Sequence, residues 1–239
     1  MRHPASQWGR PLAAGVAGLA LAMGVRAQMG VSVAADSDYR FRGVSLSDSR
    51  PSLRMTLNYD APDGWYAGAS ATRVEPAQGE RYAQVLGYAG WVTRFDNGRR
   101  VEFGASFSHF TGDSSYDFAE AYAALLAERW SVRVYYAPDY FGRHKQTVYA
   151  ELNAHLLLNE HARLFGHVGV LAPLGRSSGS ASGGDDASRA RGDLRAGAGL
   201  MVRDWDLQLA WVAATRGDPY PAVYDRRRTA WVLGAAYSF

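Results

Sequence analysis

Cysteine is absent from this chain. That excludes a disulfide scaffold, a thiolate metal site and a cysteine nucleophile. Lysine occurs once, at Lys145, so arginine carries almost all the positive charge. Beyond the first residues there is no run of 18 uninterrupted apolar residues, which leaves a closed barrel as the one way for the remaining chain to span a membrane.

A net charge is also missing once the N-terminal segment is set aside. Residues 1–27, "MRHPASQWGRPLAAGVAGLALAMGVRA", have a basic start at Arg2 and Arg10, an apolar centre from Leu12 to Met23, and small residues around Val25-Arg26-Ala27. This pattern reads as a signal peptide cut after Ala27, with residues 28–239 exported as a single domain. Subtracting its three arginines from the 26 basic residues leaves 23, against 23 acidic ones. The sequence pI of about 9.2 therefore comes mainly from the leader, and no nucleic-acid partner is expected.

What remains is period-two alternation almost throughout. Leu53, Met55, Leu57 and Tyr59 alternate with Arg54, Thr56 and Asn58. Val148, Ala150, Leu152 and Ala154 alternate with Tyr149, Glu151, Asn153 and His155. This is the signature of strands with two unlike faces. Twelve are expected, near 30–42, 51–60, 65–75, 81–95, 99–110, 116–128, 130–137, 146–158, 162–172, 190–202, 206–216 and 228–239. Their connections alternate between short ("APDG", "DNG", "ER", "NEH", "RDW") and generally longer and polar ("GVSLSDSR", "PDYFGRHK", "PLGRSSGSASGGDDASR"). Short periplasmic turns and longer extracellular loops produce this rhythm, so the fold class is all-β, an up-and-down transmembrane barrel. The Gly/Ser-rich run 175–188 reads as an outer loop.

Aromatics gather at both expected ends of the strands. Tyr59, Trp65, Trp91, Phe95, Phe103, Trp130, Trp205 and Phe239 lie on the short-turn side; Tyr39, Phe41, Phe107, Tyr136, Trp211 and Trp231 lie toward the loops. Two such belts mark the membrane interfaces. In "SDYRFRGVS" the alternation points Tyr39 and Phe41 at lipid headgroups and turns Arg40 and Arg42 inward, with Gly43 bending the chain into the first outer loop. The expected partners are outer-membrane lipid and lipopolysaccharide, together with small polar solutes or ions.

The pattern Tyr39-x-Phe41-Arg42-Gly43-x-Ser45 followed by Pro51 resembles the opening of the TorF-type (Gcw_chp) porin family of proteobacterial outer membranes. Further similarity lies in "GWYAG" (64–68), "AEAYAAL" (119–125) and "YYAPDYFG" (135–142). The ending "WVLGAAYSF" is similar to the C-terminal strand by which outer-membrane proteins engage the barrel-assembly machinery, with Tyr237 and Phe239 as its signal. The resemblance implies an outer-membrane barrel of porin type and supplies no functional residues.

Inward positions supply the candidate pore-lining residues: Arg40, Arg42, Arg54, Glu102, Glu120, Arg133, Glu151, Arg163, Asp193 and Arg195. Two readings stand for them. Glu120, Arg133, Glu151 and Arg163 on successive strands suit a salt-bridge ladder bracing the wall. A basic side (Arg40, Arg42, Arg54) facing an acidic one (Glu102, Glu120, Glu151) suits a transverse field across a constriction.

A catalytic constellation is not expected. Ser108 and His109 are adjacent in a strand and face opposite ways. The pairs His144–Asp139 and His155–Glu151 read as surface and wall contacts, and no histidine spacing suits zinc. No cofactor is expected. The functional reading is a porin-like channel for small polar solutes or ions. A non-conducting structural or adhesive barrel is the alternative, with an outer-membrane hydrolase behind it, and the oligomeric state stays open.

Overall fold

The computed structural model describes residues 27–75, 80–96, 98–174, 190–215 and 228–239. The expected leader, apart from Ala27, and the loop 175–188 lie outside them. Twelve strands of 8 to 13 residues among the described residues form one closed antiparallel barrel. They are β1 (Gln28–Asp36), β4 (Ser52–Asp60), β5 (Trp65–Val74), β6 (Tyr82–Arg94), β7 (Arg100–Phe110), β8 (Phe118–Leu126), β9 (Trp130–Ala137), β10 (Gln146–Leu157), β11 (Ala162–Leu174), β12 (Arg191–Val202), β13 (Trp205–Ala214) and β14 (Thr229–Ser238). Each pairs with its neighbours in sequence. The ring closes where β1 meets β14, with Val33 opposite Tyr237 and Ala35 opposite Ala235. Two short strands, β2 (Arg40–Phe41) and β3 (Val44–Ser45), pair only with each other.

The alternation places its apolar parity outside. Leu57, Leu152, Val168, Leu194, Leu209 and Leu233 are exposed, whereas Glu102, Glu120, Arg133, Glu151, Arg163, Asp193 and Asp206 are buried. A soluble barrel would show the reverse, so the outer face is the lipid face. Most of the expected aromatic belt follows this rule. Tyr59, Trp65, Phe95, Phe103, Trp130, Trp205 and Phe239 are exposed on the short-turn side, and Phe107, Tyr136 and Trp231 toward the loops. Tyr237 and Phe239, expected as the assembly signal, stack edge-on near the C-terminus with ring centroids 4.8 Å apart.

Tyr39 and Phe41 depart from expectation. They do not face lipid; they are 6% and 5% exposed inside the barrel. The first strand stops at Asp36 because Ser37 replaces the ladder with its side chain. Its amide donates to the Leu233 carbonyl at 2.8 Å, and its hydroxyl accepts the Leu233 amide at 3.0 Å. The chain then leaves the wall and turns into the lumen, carrying both parities with it. Gly43 accordingly sits at a lumenal hairpin tip, not at the start of an outer loop.

With the apolar parity on the lipid side, Leu209→Arg near the middle of β13 should cost about 2–4 kcal/mol of folding stability. Reversible urea unfolding in phospholipid vesicles measures this, and an unchanged midpoint would place that face elsewhere than in lipid.

Candidate functional site: a plugged, charge-lined lumen

The inward hairpin is built from short polar contacts. The Asp38 carboxylate accepts from Ser45 Oγ at 2.5 Å and from Arg40 Nε at 2.7 Å. Ser47 Oγ accepts the Tyr39 amide at 2.9 Å, and the Leu46 amide donates to the Tyr39 carbonyl at 2.8 Å. The tip residues Arg42 and Gly43 have φ of 48° and 77°. Positive φ at both central residues is the two-residue turn whose twist suits a hairpin. Glycine accepts it freely, whereas arginine incurs about 1–2 kcal/mol for the left-handed backbone.

The Arg42 side chain offsets that strain. Its guanidinium makes a fork-to-fork pair with Glu120 on β8, NH1 to Oε1 and NH2 to Oε2, both at 2.8 Å. NH1 also donates to Tyr140 Oη at 3.0 Å. The guanidinium carbon lies 4.1 Å from the Tyr149 ring centroid and 4.9 Å from that of Tyr135. Both members of the pair are about 5% exposed. Phe41 packs beside them against Phe118 and Phe141. Tyr140 and Phe141 come from a 3-10 turn, Tyr140–Gly142, that folds from the β9–β10 connection over the mouth, and both side chains are fully buried. Tyr39 of the opening motif also ties the plug to the wall: its Oη donates to Gln84 at 3.0 Å.

Below and beside the plug, the wall charges form a chain. Tyr66 donates to Glu102, which also accepts Arg133 NH2 at 2.7 Å. Arg133 NH1 lies 3.6 Å from Glu151. Glu151 accepts Asn153 Nδ2 at 3.2 Å, and the Asn153 side-chain oxygen meets His167 Nδ1 at 2.8 Å. His167 Nε2 is 2.7 Å from Asp193, and Tyr149 Oη also donates to Asp193.

These contacts correct the expected ladder of Glu120, Arg133, Glu151 and Arg163. Of its adjacent pairs, Arg133–Glu151 forms an ion pair in register. Glu120 lies opposite Ser106, at another height in the staggered barrel, and takes Arg42 from the plug. Arg163 reaches past Gly199 to Asp206 on β13 at 2.7 Å. Arg133 likewise reaches Glu102 across Ala124, the residue between them in register. A small neighbour lets a long side chain bond two strands away. The basic and acidic sides are not held apart either, since Arg40 pairs with Asp38 and Arg54 lies 3.6 Å from Asp36.

A cavity of about 50 Å³ remains beside the hairpin, lined by Asp36, Arg40, Arg54, His167, Asp193 and Arg195 among others. That is room for a few waters. Arg195 contacts Gln208 at 3.1 Å. The histidine pairs are peripheral or engaged. His144 and Asp139 are 3.4 Å apart and well exposed at the mouth, His109 bonds Asp117 at 2.6 Å, and Glu151 is held by Arg133 and Asn153. Among the described residues no three or more His, Asp or Glu gather as a metal site would need.

Reading the sequence alone named none of Tyr66, Tyr122, Tyr135, Tyr140 and Tyr149 as a candidate, although alternation had put Tyr149 on the polar parity with Glu151. The available signal was an aromatic on the polar parity facing a small residue. Tyr66 stands opposite Gly90 and Tyr122 opposite Gly104, and each hydroxyl lies where a glycine Cβ would be.

Because Arg133 balances two carboxylates, each with its side chain about 5% exposed, Arg133→Ala should cost about 3–5 kcal/mol. Adding Glu102→Gln and Glu151→Gln should recover most of the loss, as measured by urea unfolding. A single variant as stable as the parent would mean that the pair braces nothing.

The comparisons with known proteins agree with this architecture. Residues 23–233 match a family described as a bacterial protein of unknown function, Gcw_chp. None of the curated proteins matches the chain. Among solved structures, the KdgM porin in complex with disordered oligogalacturonate is 12% identical, with a TM-score of 0.55 over 88% of this chain and 99% of that one. The NanC porin is 10% identical, with a TM-score of 0.54 over 88% and 99%. The COG4313 outer membrane channel from Pseudomonas putida F1 is 13% identical, with a TM-score of 0.52 over 91% and 96%. At such identities the likeness is one of fold. With the family pattern running through nearly the whole barrel, this chain belongs to the Gcw_chp family, and its fold is that of small outer-membrane channels.

Proposed function

We propose that the protein is an outer-membrane channel for small polar solutes or ions, shut in this conformation by residues 37–50 and opened when they withdraw. The observation that carries this reading is the separateness of the plug. Its strands β2 and β3 bond to each other and not into the barrel ladder. The backbone of residues 37–50 meets the wall at its two flanks, where Ser37 bonds Leu233 and the Leu46 carbonyl accepts the Glu75 amide at 2.8 Å. The backbone ring therefore stays closed whether the hairpin is in or out. Withdrawal uncovers a wall of acidic, basic and phenolic side chains suited to hydrated solutes.

The charge balance argues for small solutes over long acidic ones. KdgM is known in complex with an oligogalacturonate, an acidic sugar chain. In this lumen Arg40, Arg42, Arg54, Arg133 and Arg163 each face a carboxylate. A polyanion would have to compete for every one of them.

A permanently plugged, structural barrel is the second reading, favoured by the near-complete burial of Tyr39, Phe41, Val44 and Leu46. Planar-bilayer recording of the refolded chain from Gln28 onward, under a salt gradient, separates the two. The channel reading expects discrete, infrequent steps. Arg40→Ser with Arg42→Ser should open more often and move the reversal potential toward cation selectivity, because Asp38 and Glu120 lose their partners. Silence from both proteins, once heat-modifiable migration shows them folded, would leave the structural reading.

A further inference from the structure

Arg42 occupies a niche that it does not itself build. Glu120 comes from β8, Tyr135 from β9, Tyr149 from β10 and Tyr140 from the turn above them. Phe41, whose ring centroid lies 4.8 Å from the guanidinium carbon, is the hairpin's own contribution beside these wall groups. Three adjacent wall strands thus hold a carboxylate fork and aromatic faces around the Arg42 guanidinium. Arg133 differs in kind, since it and both its carboxylates are parts of the wall. Arg42 is delivered from outside the barrel sheet, on a backbone at φ 48° that arginine adopts reluctantly.

We propose that this niche is a binding site for a solute bearing a guanidinium group, that Arg42 is its built-in occupant, and that such a solute opens the lumen by taking its place. The proposal deepens the channel reading and rests on it for the opening step.

The chemistry selects the class. Two parallel N–H groups match the two Glu120 oxygens at 2.8 Å each, and a third contact reaches Tyr140 at 3.0 Å. A planar cation also lies against the Tyr149 face at 4.1 Å. A primary ammonium is a point charge that cannot make the parallel pair, and a quaternary ammonium can stack but donates nothing. When an external guanidinium holds Glu120, the Arg42 side chain no longer anchors the tip, and the two-residue turn keeps its backbone strain without compensation.

The test uses Arg42→Gly, which empties the niche and suits the left-handed turn position, so the hairpin keeps its backbone. Methylguanidinium binding to the detergent-folded chain is measured by titration calorimetry. Single-site binding to Arg42→Gly is expected, at least about tenfold tighter than to the parent, in which Arg42 competes. Adding Glu120→Gln should weaken it by about tenfold or more, and tetramethylammonium should bind weaker by a similar factor. Equal binding with and without Glu120→Gln, or tetramethylammonium binding as tightly, overturns the site.

Currents test the opening step separately. In bilayers, methylguanidinium should raise the opening frequency of the parent protein. Binding to Arg42→Gly with no conductance from any variant keeps the site and defeats the channel reading. Conductance with no methylguanidinium binding does the opposite. Binding without a change in opening frequency overturns the displacement step.

Discussion

Backbone amides in hydrocarbon have no water to bond, so the hydrogen-bond ladder must close on itself. Closing it commits every second side chain to a narrow interior. In a ring of twelve strands that interior is small enough for long side chains to meet. The apolar parity of the wall can face lipid, but the arginines and carboxylates must then find partners among the other lumenal side chains. The chain from Tyr66 through Glu102, Arg133, Glu151, Asn153 and His167 to Asp193 follows from this confinement. Small residues opposite the long ones, Ala124 and Gly199 among them, set which strand each charge reaches.

The same confinement explains how a short hairpin can shut the barrel. Four strand residues joined by a two-residue turn have little stability of their own. Inside the lumen, Tyr39, Phe41, Val44 and Leu46 are shielded from water by a wall that is polar at other heights. Phe41 meets an aromatic cluster formed by Phe110 at the end of β7, Phe118 at the start of β8, and Tyr140 and Phe141 of the turn between β9 and β10. An apolar cap above a charged wall gives the hairpin one depth at which both its rings and its guanidinium are satisfied. Arg42 stands at the join, with aromatic rings around it and Glu120 in front.

The spacing of the opening motif now has a physical content in this chain. Tyr39 ties the hairpin to β6 through Gln84, Phe41 fills the cap, Arg42 carries the charge, Gly43 permits the turn, and Ser45 closes it onto Asp38. In the solved porins the likeness extends to the fold of the barrel. What passes through a barrel is decided by what fills it, and here the filling is made by this chain's own loop residues.

Period-two alternation, the rhythm of short and long connections and the lack of cysteine were enough to read a twelve-stranded membrane barrel, with most strand ends within two residues of those observed. They were enough because lipid on one side and polar groups on the other impose one rule on every strand. Tyr39 and Phe41 broke the reading because parity assigns a face only while the residue stays in the wall. Ser37 ends the ladder by bonding Leu233, and no periodicity records that the chain then turns inward. The partners of the charges were equally hidden. Alternation placed Glu120 and Arg163 inside, but the stagger of the strands decided that one meets Arg42 and the other Asp206. Side is a local property of the backbone; height and contact across a lumen exist only once the ring has closed.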